Sequence, residues 1–139
     1  MKISPKWLRE FVGLKADGPT LAADLTMAGI GVESVSGEGD ATVFEMDITT
    51  NRVDAMNHYG VARECSAIYD LDLQPLEASL PAAPGKAGFQ IELPEPQLCA
   101  RYTAQILQGV KIQASPRAIA ARLEMMDARP INNAADATN

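Results

Sequence analysis

The chain has 139 residues, of which 47% are hydrophobic and 22% are charged, the composition of a soluble globular protein with one ordinary domain or two small ones. Its net charge of −6, with no run of Lys and Arg, argues against a stand-alone nucleic-acid binder, which needs a basic face to neutralise phosphates. No apolar stretch approaches the roughly 20 residues of a membrane helix. Two distant cysteines, Cys65 and Cys99, exclude a disulfide framework or zinc site and predict reduced, mostly buried thiols in a cytoplasmic protein.

Two helices are predicted in the first 30 residues. Ser4 can cap free N–H groups and Pro5 suits the first helical position, so a helix is expected from Pro5 to a stop near Gly13. A second helix is expected from about Pro19, with Gly29 as its C-terminal stop.

A β-hairpin and a third helix follow. Residues 43–48 alternate apolar and polar side chains, which predicts a half-buried strand. Together with residues 32–35 and the turn at 36–40, it can form an antiparallel hairpin. Apolar residues at helical spacing then predict an amphipathic helix over 61–69, with Asp54 as a possible cap.

The second half of the chain has a weaker pattern. Prolines and alanines between residues 73 and 87 predict an extended linker. Alternation predicts strands over 89–93 and 102–106, and Ser115-Pro116 repeats the helix-start signal. Two strands and one helix do not make an independent core, so this part is expected to begin a larger domain. The prediction is an α+β chain with a helix–hairpin–helix domain at 1–72, a linker at 73–87 and the start of a second domain at 88–139.

The sequence contains no self-contained active site. It has neither a phosphate-binding glycine motif nor an HExxH motif. His58, the only histidine, is predicted to have a surface or packing role unless the fold brings a nucleophile or carboxylate close to it. Glu45 and Asp47 share one strand face near Asp54 and could hold a metal, but a solvated strand face explains them more simply. No catalytic residue and no metal ligand is assigned.

Two polar clusters stand out. Asn51, Arg52 and Asp54 follow the predicted strand and are interpreted as a structural lock on the strand-to-helix turn; the alternative is contact with RNA or a partner subunit. Residues 132–139 combine amides and hydroxyls with small residues. That cluster indicates either a helix start or a polar pocket wall, and both readings stay open.

Several segments resemble, in order, the beta subunit of bacterial phenylalanyl-tRNA synthetase. These segments are MKIS at 1–4, WL at 7–8, LTMAG at 25–29, VE at 32–33, FEMDITTNRVD at 44–54, GVARE at 60–64, RY at 101–102, GV at 109–110, SP at 115–116 and RPINNAADATN at 129–139. Each match alone is weak, but the ordered set spans nearly the whole chain.

The resemblance implies a scaffold role and the start of an editing-type domain that hydrolyses mischarged tyrosyl-tRNA. Thr138 and Asn139 correspond to the family motif that helps to wall the editing pocket. The family's enzyme is a cytoplasmic heterotetramer of two alpha and two beta subunits that binds tRNA and uses ATP and magnesium. This segment is expected to bind neither cofactor itself, and its implied partners are the alpha subunit and the remainder of the beta subunit.

The sequence departs from the family in three ways. The family commonly inserts an oligonucleotide-binding, tRNA-binding domain before the strand at 43–48, where this chain has only a short turn. Ala134 and Ala135 replace larger valines. The sequence stops as the editing domain begins, so a fragment of a longer subunit is expected, with little or no activity alone. The alternatives are a non-catalytic subunit-interaction module and a free-standing aminoacyl-tRNA deacylase.

Overall fold

Short strands and helices alternate in the computed structural model, which describes residues 1–79, 82, 85 and 88–138. In chain order the elements are β1 (Lys2–Ile3), α1 (Pro5–Leu8), α2 (Gly18–Met27), β2 (Gly31–Ser36), β3 (Val43–Asp47), α3 (His58–Tyr69) and α4 (Arg117–Met125), with 3₁₀ turns at Gly39–Ala41 and Val53–Ala55.

The sheet is antiparallel with strand order β1-β3-β2, which confirms the predicted hairpin. Ile3 pairs with Phe44 on one side of β3, and Val35 pairs with Phe44 on the other. Phe44 and Met46 of β3 are buried, whereas Asp47 is exposed. The alternation in the sequence therefore correctly identified the face of β3 that packs on the core.

Side-chain caps fix the starts of α1 and α2. The hydroxyl of Ser4 accepts a hydrogen bond from the backbone N–H of Trp7, and the carboxylate of Asp17 accepts one from Thr20. Gly29, with a φ of 91°, follows α2 in the left-handed region that favours glycine. The Ser4 cap and the Gly29 stop were recognised correctly in the sequence, whereas the Asp17 cap was not predicted and α2 begins one residue earlier than expected.

Helix α1 is shorter than predicted. It ends at Leu8 instead of continuing to Gly13. Val12 instead forms an isolated antiparallel bridge with Leu73, and the backbone N–H of Gln74 donates to the carbonyl of Phe11. Pairing with a residue 61 positions later in the chain therefore replaces the continuation of the helix.

The cap of α3 also differs from the prediction. Asn57, not Asp54, accepts the hydrogen bond from the backbone N–H of Gly60, at 2.7 Å. Asp54 lies one 3₁₀ turn earlier, where its carboxylate pairs with arginine side chains. At the other end of α3, the hydroxyl of Tyr69 donates to Asp24 of α2.

One hydrophobic core joins the sheet to α1, α2 and α3. Each large apolar side chain buried there contributes roughly 1.5–3 kcal/mol. Residues 1–74, which contain this core and the strand-like contact at Leu73, are called the N-terminal core below. The fully or nearly fully buried members are Ile3, Leu8, Val12, Leu21, Leu25, Ile30, Phe44, Met46, Val61, Ala62 and Cys65.

The two strands predicted in the second half do not form. Residues 89–93 and 102–106 have no strand assignment, and Phe89 and Tyr102 are more than 60% exposed. Alternation shows only that a segment is compatible with a sheet, since a strand also requires a neighbouring strand for its hydrogen bonds. Cys99 is exposed in the same region, so only Cys65 is buried as predicted.

Helix α4 is present as predicted, but without the serine cap. The hydroxyl of Ser115 donates instead to Asp136, 21 residues later. Part of the predicted linker, at positions 80, 81, 83, 84, 86 and 87, lies outside the described residues. The α+β class is confirmed.

Candidate functional site

The polar turn after β3 is an ion-pair network. Arg52 donates two hydrogen bonds to the carboxylate of Asp54, each 3.1 Å long, and lies 2.7 Å from Glu64. Arg63 of α3 also binds Asp54, at 2.6 Å. The hydrogen bonds from Arg52 hold the pKa of Asp54 below its ordinary value. Arg52 and Asp54 therefore join the turn to α3, and Asn51 lies exposed beside them.

His58 is packed against Trp7, an arrangement that the sequence did not reveal. Their ring centroids are 3.9 Å apart and the planes are inclined by 29°. The Nε2 atom of His58 accepts a hydrogen bond from the backbone N–H of Ser4, at 3.1 Å. Burial, assisted by the nearby positive charge of Arg122, lowers the pKa of His58 to about 4. The imidazole is therefore neutral near pH 7, and its basic nitrogen is already engaged.

A cation from α4 completes this cluster. The guanidinium carbon of Arg122 lies 4.4 Å from the centroid of the Trp7 ring, within the range of a cation–π interaction. The same guanidinium donates to both carboxylate oxygens of Glu10, at 2.6 and 2.7 Å. More than 110 residues separate these partners, so no local sequence pattern could have indicated the contact.

The second polar cluster forms a hydrogen-bonded turn. Asp136, which is 5% exposed, accepts hydrogen bonds from the backbone N–H of Ile131 and from the hydroxyl of Ser115. Asn132 accepts from the backbone N–H groups of residues 134 and 135. The hydroxyl of Thr138 donates to the carbonyl of Ala135, and Thr138 is exposed. Asn139 lies outside the described residues.

A shallow cleft of about 450 Å³ lies where α2 begins, beside the β2–β3 turn. Two charged residues that line it, Arg9 and Asp40, are engaged within the fold. Arg9 donates to the backbone carbonyls of Leu14 and Ala16, and Lys6 pairs with Asp40. The guanidinium of Arg9 is therefore not an unpaired cation for an anionic ligand in this cleft.

The strand carboxylates are not assembled into a metal site. Glu45 lies 3.4 Å from the N-terminal amine, and Asp47 points to solvent. Across residues 1–79, 82, 85 and 88–138, no group of three His, Cys, Asp or Glu side chains is placed to hold a metal ion.

In the same residues, no helix has the length and apolarity needed to cross a bilayer.

Comparison with known proteins gives the polar turns a family context. No protein-family model matches the chain. Over its whole length, however, it is 31% identical to the phenylalanine–tRNA ligase beta subunit of Rhodopirellula baltica. The chain matches this subunit family. It is also 42% identical over 70% of its length to the beta subunit of Moorella thermoacetica, and 35% identical over 79% to that of Thermotoga maritima.

These matches confirm the resemblance to phenylalanine–tRNA ligase beta subunits that the sequence motifs indicated. The chain spans 21% of the length of the Rhodopirellula protein and 12–14% of the other two. The first alignment has 144 positions, only five more than the chain's 139 residues. The Rhodopirellula subunit therefore has no domain-sized insertion within the aligned region, in agreement with the short turn between β2 and β3.

Proposed function

We propose that this chain is the N-terminal scaffold of a phenylalanine–tRNA ligase beta subunit and leads into its editing domain. The observation that carries the proposal is the sequence match over the whole chain to one such subunit. The packed N-terminal core supports the scaffold role, because it joins the sheet and three helices around one set of buried apolar side chains.

The partners in this proposal are the alpha subunit and the remainder of the beta subunit, in a heterotetramer that binds tRNA. The exposed apolar side chains between residues 89 and 112 support a further covering surface, because soluble proteins rarely leave such a large set in water. They are Phe89, Leu98, Tyr102, Leu107, Val110 and Ile112, all more than half exposed. ATP and magnesium would be used elsewhere in the assembly.

Editing is the finer part of the proposal. Thr138 and Asn139 would contribute to the wall of a pocket that accepts tyrosine from mischarged tRNA. Rejecting a product with one extra hydroxyl requires well-placed polar groups in a closed pocket. Thr138 is exposed, so the isolated chain is expected to hydrolyse tyrosyl-tRNA poorly.

A chimera tests the scaffold role. The matching segment of the Rhodopirellula beta subunit would be replaced by this chain and co-expressed with the Rhodopirellula alpha subunit. We expect assembly and phenylalanyl-tRNA formation to be retained. A folded chimera that fails to join the alpha subunit would contradict the scaffold role.

The editing role is tested in the same chimera. Thr138→Val is expected to increase the accumulation of tyrosyl-tRNA while phenylalanyl-tRNA formation is unchanged; Thr103→Val, also exposed, is the matched control. Equal tyrosyl-tRNA levels in both variants would refute a pocket role for Thr138. Rapid hydrolysis of tyrosyl-tRNA by the isolated chain would instead favour the free-standing deacylase, and binding to the alpha subunit without any effect on editing would favour the interaction module.

A further inference from the structure

The segment that carries α4 is held together by its own hydrogen bonds. Asn133 and Gln113 exchange two, at 2.9 and 3.1 Å, which join the residues before α4 to those after it. The bond from Ser115 to Asp136 makes a second connection across the same segment. Residues 111–138, called the α4 segment below, therefore have internal contacts that do not depend on the N-terminal core.

The junction between the α4 segment and the N-terminal core is mainly charged. Arg122 binds both oxygens of Glu10 and lies over the ring of Trp7, while Lys2 pairs with Asp127. These contacts join two charged side chains of the α4 segment to the N-terminal core. No residue of α4 itself is fully buried. The hydrogen bonds and ion pairs of the junction are therefore charged ones, and the apolar side chains of α4 are at most partly buried.

We propose that Arg122 acts as an electrostatic clasp that docks the α4 segment reversibly on the N-terminal core. Arg122 makes two contacts with the core, an ion pair with Glu10 and a cation–π contact with the ring of Trp7. The side chains of Arg122, Glu10 and Trp7 are all partly exposed to water. Salt screens exposed pairs, because the Debye length falls from about 10 Å at 0.1 M to about 3 Å at 1 M. The apolar core is not weakened in this way. Raised ionic strength therefore releases the α4 segment while the N-terminal core stays folded.

Energy transfer from Trp7 measures docking directly, because Trp7 is the only tryptophan in the chain. Cys99→Ser removes the exposed thiol, and Ala121→Cys places an acceptor label on an exposed position of α4; Cys65 is buried and protected. Arg122→Met removes the charge but keeps the length of the side chain. Losing one ion pair and one cation–π contact is expected to lower the docking equilibrium constant about 5- to 30-fold. Arg117→Met on the same helix is the matched control and should change nothing.

At low salt, energy transfer is expected to be weaker in Arg122→Met than in the Arg117→Met control. In the labelled protein that keeps both arginines, energy transfer is expected to fall between about 0.1 and 1 M NaCl. Far-UV circular dichroism should stay constant throughout. Unchanged transfer in Arg122→Met and across the salt titration would overturn the clasp. If Arg122→Met fails to fold, the salt titration of the labelled protein decides alone. The experiment needs no tRNA or second subunit, so its outcome is independent of the proposed synthetase role.

Discussion

Gly60, in the first turn of α3, is a position where a single methyl group tests the packing of the whole turn. A Cβ atom there would lie 1.9 Å from the carbonyl oxygen of Asp54 and 3.0 Å from the Cα atom of Ala55. Both obstacles are backbone atoms of the 3₁₀ turn, so no side chain can rotate away. Gly60→Ala must move the turn or the helix by more than about 1 Å to restore an ordinary contact.

Two opposing effects set the magnitude. Alanine favours a helix over glycine by about 1 kcal/mol. Overpacking with a backbone shift costs typically about 1–3 kcal/mol and more in severe cases. The clash distance places this position at the severe end, so a net loss of about 2 kcal/mol is expected. A domain of this size would then unfold roughly 8–16 °C earlier.

Thermal and urea unfolding, followed by circular dichroism and by the fluorescence of Trp7, measure the loss. Gly13→Ala is the control, because a Cβ there meets nothing within 4 Å and the backbone does not require glycine. It should stay within about 0.5 kcal/mol of the wild type. A Gly60→Ala protein at least as stable as the wild type would refute the argument from the clash.

Three further predictions concern the core and its ionisable groups. Phe44→Ala empties the fully buried centre of β3 and should cost about 3–5 kcal/mol of unfolding free energy in urea titrations. The pKa of His58 is near 6.5 in the unfolded chain and about 4 in the folded chain. The free energy of unfolding should therefore be constant with respect to His58 above pH 6.5 and fall as the pH drops from 6.5 to 4, because only the unfolded chain binds a proton there. The expected loss is about 1–2 kcal/mol, after allowance for the partial exposure of the ring. His58→Gln should flatten this slope. Iodoacetamide should modify Cys99 in the folded protein but Cys65 only after unfolding, because burial raises the pKa of the Cys65 thiol to about 12.

The amino-acid sequence was sufficient where the deciding contacts are local. Ser4 caps the turn that contains Trp7, three residues later, and the alternation over 43–48 selects the buried face of β3. The ordered motifs also indicated the synthetase subunit family, which the curated relatives confirm. Such signals act within a few residues or accumulate along the chain, so they can be read without coordinates.

Other features depend on partners that are distant in sequence. Asn57 caps α3 because the helix begins at His58, whereas Asp54 lies earlier in the chain and pairs with Arg52 and with Arg63 of the helix. The alternation at residues 102–106 predicted a strand, yet these residues have no strand assignment.

The hairpin of the N-terminal core and helix α4 were each predicted from local patterns, but the contacts between α4 and the core were not. The sequence by itself determined where α1 begins and which face of β3 is apolar. Only the tertiary structure decided that His58 stacks on Trp7 and that Arg122 reaches Glu10. Helix and strand preferences arise from neighbouring residues, whereas an ion pair between residues 112 positions apart exists only after the chain has folded.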